Sequence, residues 1–125
     1  MAEEKQFEER VKDFLISEDI YPAGMPQDKK TAPDEGWYFK VWGGGYQTSG
    51  IPDILLCING YFVAVELKGT TGRASDLQKK NIQAMRTAGG FAFVLYPSAE
   101  ERFKRFIRDL KHGIYNRDEI PMVWR

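Results

Sequence analysis

The dipeptide Asn59-Gly60 lies between two apolar, β-rich runs in "GIPDILLCINGYFVAVELKG", residues 50 to 69, and it constrains this chain more than any other feature. A two-residue type I′ turn needs positive φ at both central positions, which Asn and Gly accept most readily. With 59 and 60 as the loop, counting outward pairs Ile58 with Tyr61, Leu56 with Val63, Ile54 with Val65, and Asp53 with Glu66. Strand side chains alternate between faces. Ile54, Leu56, Ile58, Tyr61, Val63, Val65 and Leu67 therefore make one apolar face, and Asp53, Glu66 and Lys68 share the other.

Two carboxylates facing each other across a strand pair repel, and desolvation beside Leu55 and Ala64 adds to the penalty. A hard divalent cation, Mg²⁺ or Mn²⁺, offsets both, because it takes oxygen ligands from one or two carboxylates. Lys68 is placed to orient an attacking water or to stabilise charge on a phosphorane-like transition state. The set suits phosphodiester cleavage. A plain carboxylate pair at a strand end, solvated or bridged by Lys68, fits the same spacing.

The 125 residues, 42% hydrophobic and 14% aromatic, are enough for one soluble domain spanning 1–125 with a real core. No apolar run approaches the roughly 20 residues that cross a bilayer, and "MAEEKQFEER" is charged where a secretory signal would be apolar. The expectation is a cytoplasmic protein that meets no membrane. Cys57 is the only cysteine, which excludes an intrachain disulfide and a Cys-based zinc site; it reads as a small core residue. The formal net charge is zero, so any polyanion must be held by local patches.

Residues 3 to 19 carry Phe7, Val11, Phe14 and Leu15 along one stripe at helical spacing. A long loop follows over 21 to 36, then a strand over 37 to 42, a glycine-rich connection over 43 to 50, and the two hairpin strands. A helix over 75 to 90 starts at Ser75 and stops at Gly89 and Gly90. A strand over 91 to 96 and a helix over 98 to 113, with Phe103, Phe106, Ile107 and Leu110 inward, close the chain. The order α-β-β-β-α-β-α is an α/β fold, a mixed central sheet flanked by helices.

"GIPD", a twelve-residue gap and "ELK" resemble the P-D…(D/E)-x-K signature of the PD-(D/E)xK nuclease superfamily. The stretch from "GIPD" through "FAFVLY" is similar to the VRR-NUC branch, small nucleases common in phages and prophages, and less closely to archaeal Holliday-junction resolvases. The resemblance reaches over roughly residues 4 to 96. It implies a restriction-endonuclease-like core, a Mg²⁺- or Mn²⁺-dependent endodeoxyribonuclease with DNA as partner, and a bacterial or phage-infected cell as its setting. It further implies metal ligation by Asp53, Glu66 and the backbone carbonyl of Leu67, with Lys68 catalytic and Gln78 holding the site or touching substrate. A capping box from Ser75 to Gln78 explains the same glutamine, and both roles are compatible. The family also carries a carboxylate on the first helix. Glu8, at the edge of the apolar stripe, is the first choice and Glu4 the second, while a solvated surface glutamate is the plain alternative.

Lys40, Arg73 and Lys79, with Lys29, Lys30 and Lys80, could flank a phosphate backbone. Lys104, Arg108 and Lys111 read as a solvated helix face. Trp37, Tyr38 and Tyr46 could stack on unpaired bases, although core packing is the simpler expectation for Trp37. His112 needs only a favourable contact with a helix end. A non-catalytic nucleic-acid-binding module, or a metal-binding scaffold with a protein partner, competes with the nuclease. Cutting two strands needs two sites, which a homodimer would supply.

Overall fold

The computed structural model describes residues 2–42 and 50–115. Tyr46, most of the glycine-rich connection and residues 116–125 lie outside the described residues. Helix α1 (Ala2–Ser17) is followed by strands β1 (Ile20–Pro22), β2 (Gly36–Lys40), β3 (Ile54–Ile58) and β4 (Tyr61–Leu67). Helix α2 (Asp76–Thr87), strand β5 (Phe91–Leu95) and helix α3 (Glu100–Lys111) complete the order, with short 3-10 turns at Gln27–Lys29 and Pro97–Ala99. The five strands stand in sequence order in one sheet. β1 and β2 are parallel, β2 to β4 form an antiparallel meander, and β5 runs parallel to β4. This mixed α/β sheet is compatible with a restriction-endonuclease-like core.

The hairpin has the expected register: Ile54 pairs with Val65, Leu56 with Val63 and Ile58 with Tyr61. Asn59 and Gly60 hold φ of 51° and 82°, as a type I′ turn requires. The Asn59 side chain also donates to the Leu110 carbonyl at 3.2 Å, which ties the turn to the end of α3.

On the apolar face, Ile54, Leu56, Ile58, Val63, Val65 and Leu67 are buried together with Phe7, Val11, Phe14 and Leu15 of α1. Phe91 and Phe93 continue this face on β5 by register, and their rings meet those of Phe103 and Phe106 of α3 edge to face. α1 and α3 are joined by Phe14 against Phe103 and by ion pairs from Arg108 and Lys111 to Glu18. Lys104 also reaches Glu100 and Glu101, so the basic row of α3 is engaged in pairs and is not a freely solvated face. His112 is the C-cap residue of α3, its backbone N–H donating to the Asp109 and Leu110 carbonyls.

Three expectations fail on the other side of the sheet. The loop over 21 to 36 contains the end of β1, a three-residue edge strand too short to carry a periodic signal. Trp37 is 48% exposed and stacks on Phe39 instead of entering the core. Cys57 is exposed rather than buried. α2 lies on this side, but its buried Ile82 faces the β4–β5 half, where Ala64, Ala92 and Val94 are fully covered. The β2–β3 half, which carries Trp37 and Cys57, has no helix over it among the described residues.

No atom lies within 4 Å of a β-carbon built on Gly60, so a substitution there meets only the left-handed backbone penalty. Gly60→Ala is expected to lower stability by about 1 kcal/mol, read as a denaturation midpoint shifted at unchanged slope.

Candidate active site

The carboxylates predicted to face each other do meet at one end of the sheet, but their environments differ. Among the described residues, Glu66 is the only charged residue that is buried, at 3% exposure. Its Oε2 accepts hydrogen bonds from Gln78 Nε2 at 2.9 Å and pairs with Lys68 Nζ at 3.3 Å. Its Oε1 is buried without any partner. Buried carboxylate oxygens are rarely left so. Asp53 is half-buried at the entry to β3. Its Oδ2 accepts the Leu67 backbone N–H at 2.8 Å, and its Oδ1 lies 3.7 Å from Lys40 Nζ. Asp53 is thus held by the strand it opposes as well as repelled by the charge on it.

Gln78 forms the expected cap and also reaches Glu66. Its Oε1 accepts the Ser75 N–H and its own N–H donates to Ser75 Oγ, completing the capping box of α2. The remaining amide group of the same side chain is then aimed at Glu66. Cap geometry fixes the rotamer, and the rotamer fixes which Glu66 oxygen is engaged.

Glu8 comes to the site from α1, through Lys40. Lys40 Nζ sits 2.9 Å from Glu8 Oε1, and Lys12 bonds the other Glu8 oxygen at 2.9 Å. Burial works to raise the Glu8 pKa, yet Lys12 and Lys40 outweigh it and hold the carboxyl below its ordinary value. Lys40 therefore bridges two carboxylates of the candidate site. Glu4 makes no ion pair among the described residues. Arg73 is exposed, and Lys79 half-buried on α2, neither with an ion pair among those residues.

Glu3, which carried no signal beyond an acidic first helical turn, has a defined position. It accepts hydrogen bonds from the backbone N–H and the hydroxyl of Thr70, which lowers its pKa. A β-carbon on Gly69 would come within 2.7 Å of Glu3 Oε1, so only glycine allows the approach. Tyr96 donates to the Gly72 carbonyl at 2.9 Å. Residues 69–72, directly after Lys68, are pinned from both sides, and Gly72 packs against the Lys68 stem.

The model of the VRR-NUC domain family matches residues 44–99. Over these residues the chain is similar to the VRR-NUC domain. The match takes in Asp53, Glu66, Leu67, Lys68 and Gln78 together with Arg73 and Lys79, and stops short of Glu8 and Lys40. The matched residues take in the hairpin, α2 and β5. No curated protein and no solved structure was found to match the chain.

Burial, and then the charge of Asp53, push the Glu66 carboxyl up to about 7 against the partial relief of Lys68, from 4.5 in an open chain. The folded state thus binds this proton more tightly than the unfolded state. The stabilisation is full below about pH 4.5 and is lost as pH rises through about 7. Metal-free protein is expected to lose on the order of 2 kcal/mol between pH 5 and pH 8 by this route. Glu66→Gln should flatten that slope, measured by chemical denaturation at the two pH values.

Proposed function

We propose that the chain is a divalent-metal-dependent endodeoxyribonuclease of the phage-type VRR-NUC class, acting in replication, repair or recombination. The observation that carries this reading is the unpartnered, buried Oε1 of Glu66 beside the Asp53 carboxylate. A buried anion with a free lone pair is stable next to a second carboxylate only when a cation or a proton joins them.

The donor set fits a small hard cation. Asp53 and Glu66 offer carboxylate oxygens, the Leu67 carbonyl adds a third, and Gln78 and Lys68 occupy only the other Glu66 oxygen. No group of three or more His, Cys, Asp or Glu side chains forms a ready cage among the described residues. Mg²⁺ and Mn²⁺ sites of this kind take one or two carboxylates and complete themselves with water and substrate phosphate. The ion, when bound, polarises the scissile phosphate and neutralises charge on it.

The chain's own groups do the rest. Gln78 holds Glu66 in one rotamer. Lys68, anchored by its N–H to the Leu95 carbonyl at 3.1 Å, presents an ammonium that orients the attacking water and stabilises the extra negative charge as the new P–O bond forms and the old one breaks. Glu8 offers a further carboxylate behind Lys40, and Arg73 and Lys79 supply phosphate contacts on the α2 side.

Cleavage of plasmid DNA is expected to need Mg²⁺ or Mn²⁺ and to stop with chelator; cleavage that persists in chelator overturns the two-carboxylate reading. Lys68→Ala is expected to lower the rate at least about 100-fold while Mn²⁺ still raises the melting temperature and DNA still binds. Binding without cleavage by the wild type, on any DNA form and with either ion, would make this a non-catalytic nucleic-acid-binding module.

A further inference from the structure

Lys40 is the last residue of β2, and it pairs with Ile54, whose side chain lies in the core shared with α1. That register, together with the Val41 N–H on the Asp53 carbonyl at 2.7 Å, sets the lysine between Glu8 on one side and Asp53 on the other. The two contacts are unequal. Nζ lies 2.9 Å from Glu8 Oε1 but 3.7 Å from Asp53 Oδ1. Lys12 holds the second Glu8 oxygen at 2.9 Å, so Glu8 has two ammonium partners, whereas Asp53 has only the looser end of one. The Leu67 N–H occupies Asp53 Oδ2 at 2.8 Å. Oδ1, the oxygen that Lys40 approaches, is thus the one left for a cation.

We propose that Lys40 is a built-in competitor of the metal ion. It supplies the positive charge at Asp53 in metal-free protein and withdraws when a divalent cation arrives, so it lowers the affinity of the site for that ion. The inference rests on the metal site proposed above. An ammonium and a divalent cation drawn to the same carboxylate oxygen repel each other, and the looser contact is the one to break. Lys40 has a place to go. Beside it opens a cavity of ≈ 200 Å³ lined in part by Lys12, Tyr38, Phe39 and Trp42, and its Nζ already lies 5.9 Å from the centre of the exposed Trp42 ring. A flexible stem and an aromatic face that attracts ammonium let the charge swing away from Asp53 while its bond to Glu8 persists. A lysine that only strapped α1 to β2 would need Glu8 alone. The approach to Asp53 is what couples that strap to the metal.

The test reads metal binding and not cleavage. Free Mn²⁺, followed by its EPR signal in titrations of the full chain, should show Lys40→Met binding the ion about fivefold tighter than wild type or more. Lys40→Arg, which keeps the charge, should bind no tighter than wild type. In chelator Lys40→Met should melt below wild type, and saturating Mn²⁺ should narrow that gap, because the more tightly bound ligand stabilises more. A further readout needs no variant: acetic anhydride should modify the Lys40 amine of wild type faster in Mg²⁺ than in chelator. Mass spectrometry scores this against Lys111, whose partners are Glu18 and Glu35. Equal or weaker Mn²⁺ binding by Lys40→Met, with a melting gap that metal leaves unchanged, overturns the proposal and makes Lys40 a structural strap. Labelling of Lys40 that is the same with and without metal overturns it too. If wild type and Lys40→Met both bind no Mn²⁺, the metal site itself is wrong and this inference falls with it.

Discussion

The register of the β3–β4 hairpin is the constraint on which the rest depends. Two residues, Asn59 and Gly60, adopt positive φ, and every pairing outward from them follows. A slip by one residue would exchange the faces. It would turn Ile54, Leu56, Val63 and Val65 away from α1 and α3, and it would separate Asp53 from Glu66. Core and candidate site are therefore specified by the same turn. The hydrogen bond from Asn59 to the Leu110 carbonyl links that turn to the helix that closes the apolar face.

What the sequence made legible was local. Turn chemistry fixed the hairpin, helical spacing found the buried stripe of α1, and the Ser75–Gln78 cap with Gly89 beyond marked the ends of α2. The misreadings share a different cause. Trp37 and Cys57 look like core residues because their strands are apolar at every position, yet whether a face is buried depends on where a distant helix lies. β1 is held by pairing with Gly36, Trp37 and Tyr38 and leaves no pattern of its own in three residues. Glu3 and Lys40 became legible only when α1 was brought against the sheet end, since their partners Thr70 and Asp53 are remote in sequence.

The site itself was legible in part for the same reason. Asp53, Glu66 and Lys68 belong to one hairpin, so their proximity follows from counting. Gln78 was within reach because α2 begins soon after β4 and its cap restricts the side chain. The double use of Gln78 is economical in a physical sense: cap formation has already ordered a side chain that would otherwise lose rotamer freedom to hold Glu66. The partners of Lys40 were not legible because a lysine's long stem hides its target. Its ammonium spans Glu8 and Asp53, neutralising acidic charge where a more exposed lysine would meet a phosphate.

Under the proposed function, Glu66 marks where stability and chemistry pull apart. A glutamine or an apolar residue in its place would remove a buried charge that desolvation and Asp53 both penalise. Lys68 offsets the penalty only in part, since it engages Oε2 and leaves Oε1 bare. If the lysine were there to satisfy a structural ion pair, the better geometry would place it between both oxygens. Its position at one side, with Gln78 on the same oxygen, leaves the other oxygen and the Asp53 carboxylate facing a common space. Metal-free protein meets that arrangement by binding a proton near neutral pH, and a divalent cation would meet it by displacing that proton. A locally unfavourable group of this kind is tolerated because the rest of the fold holds it in place, and the proposed metal site is what would use it.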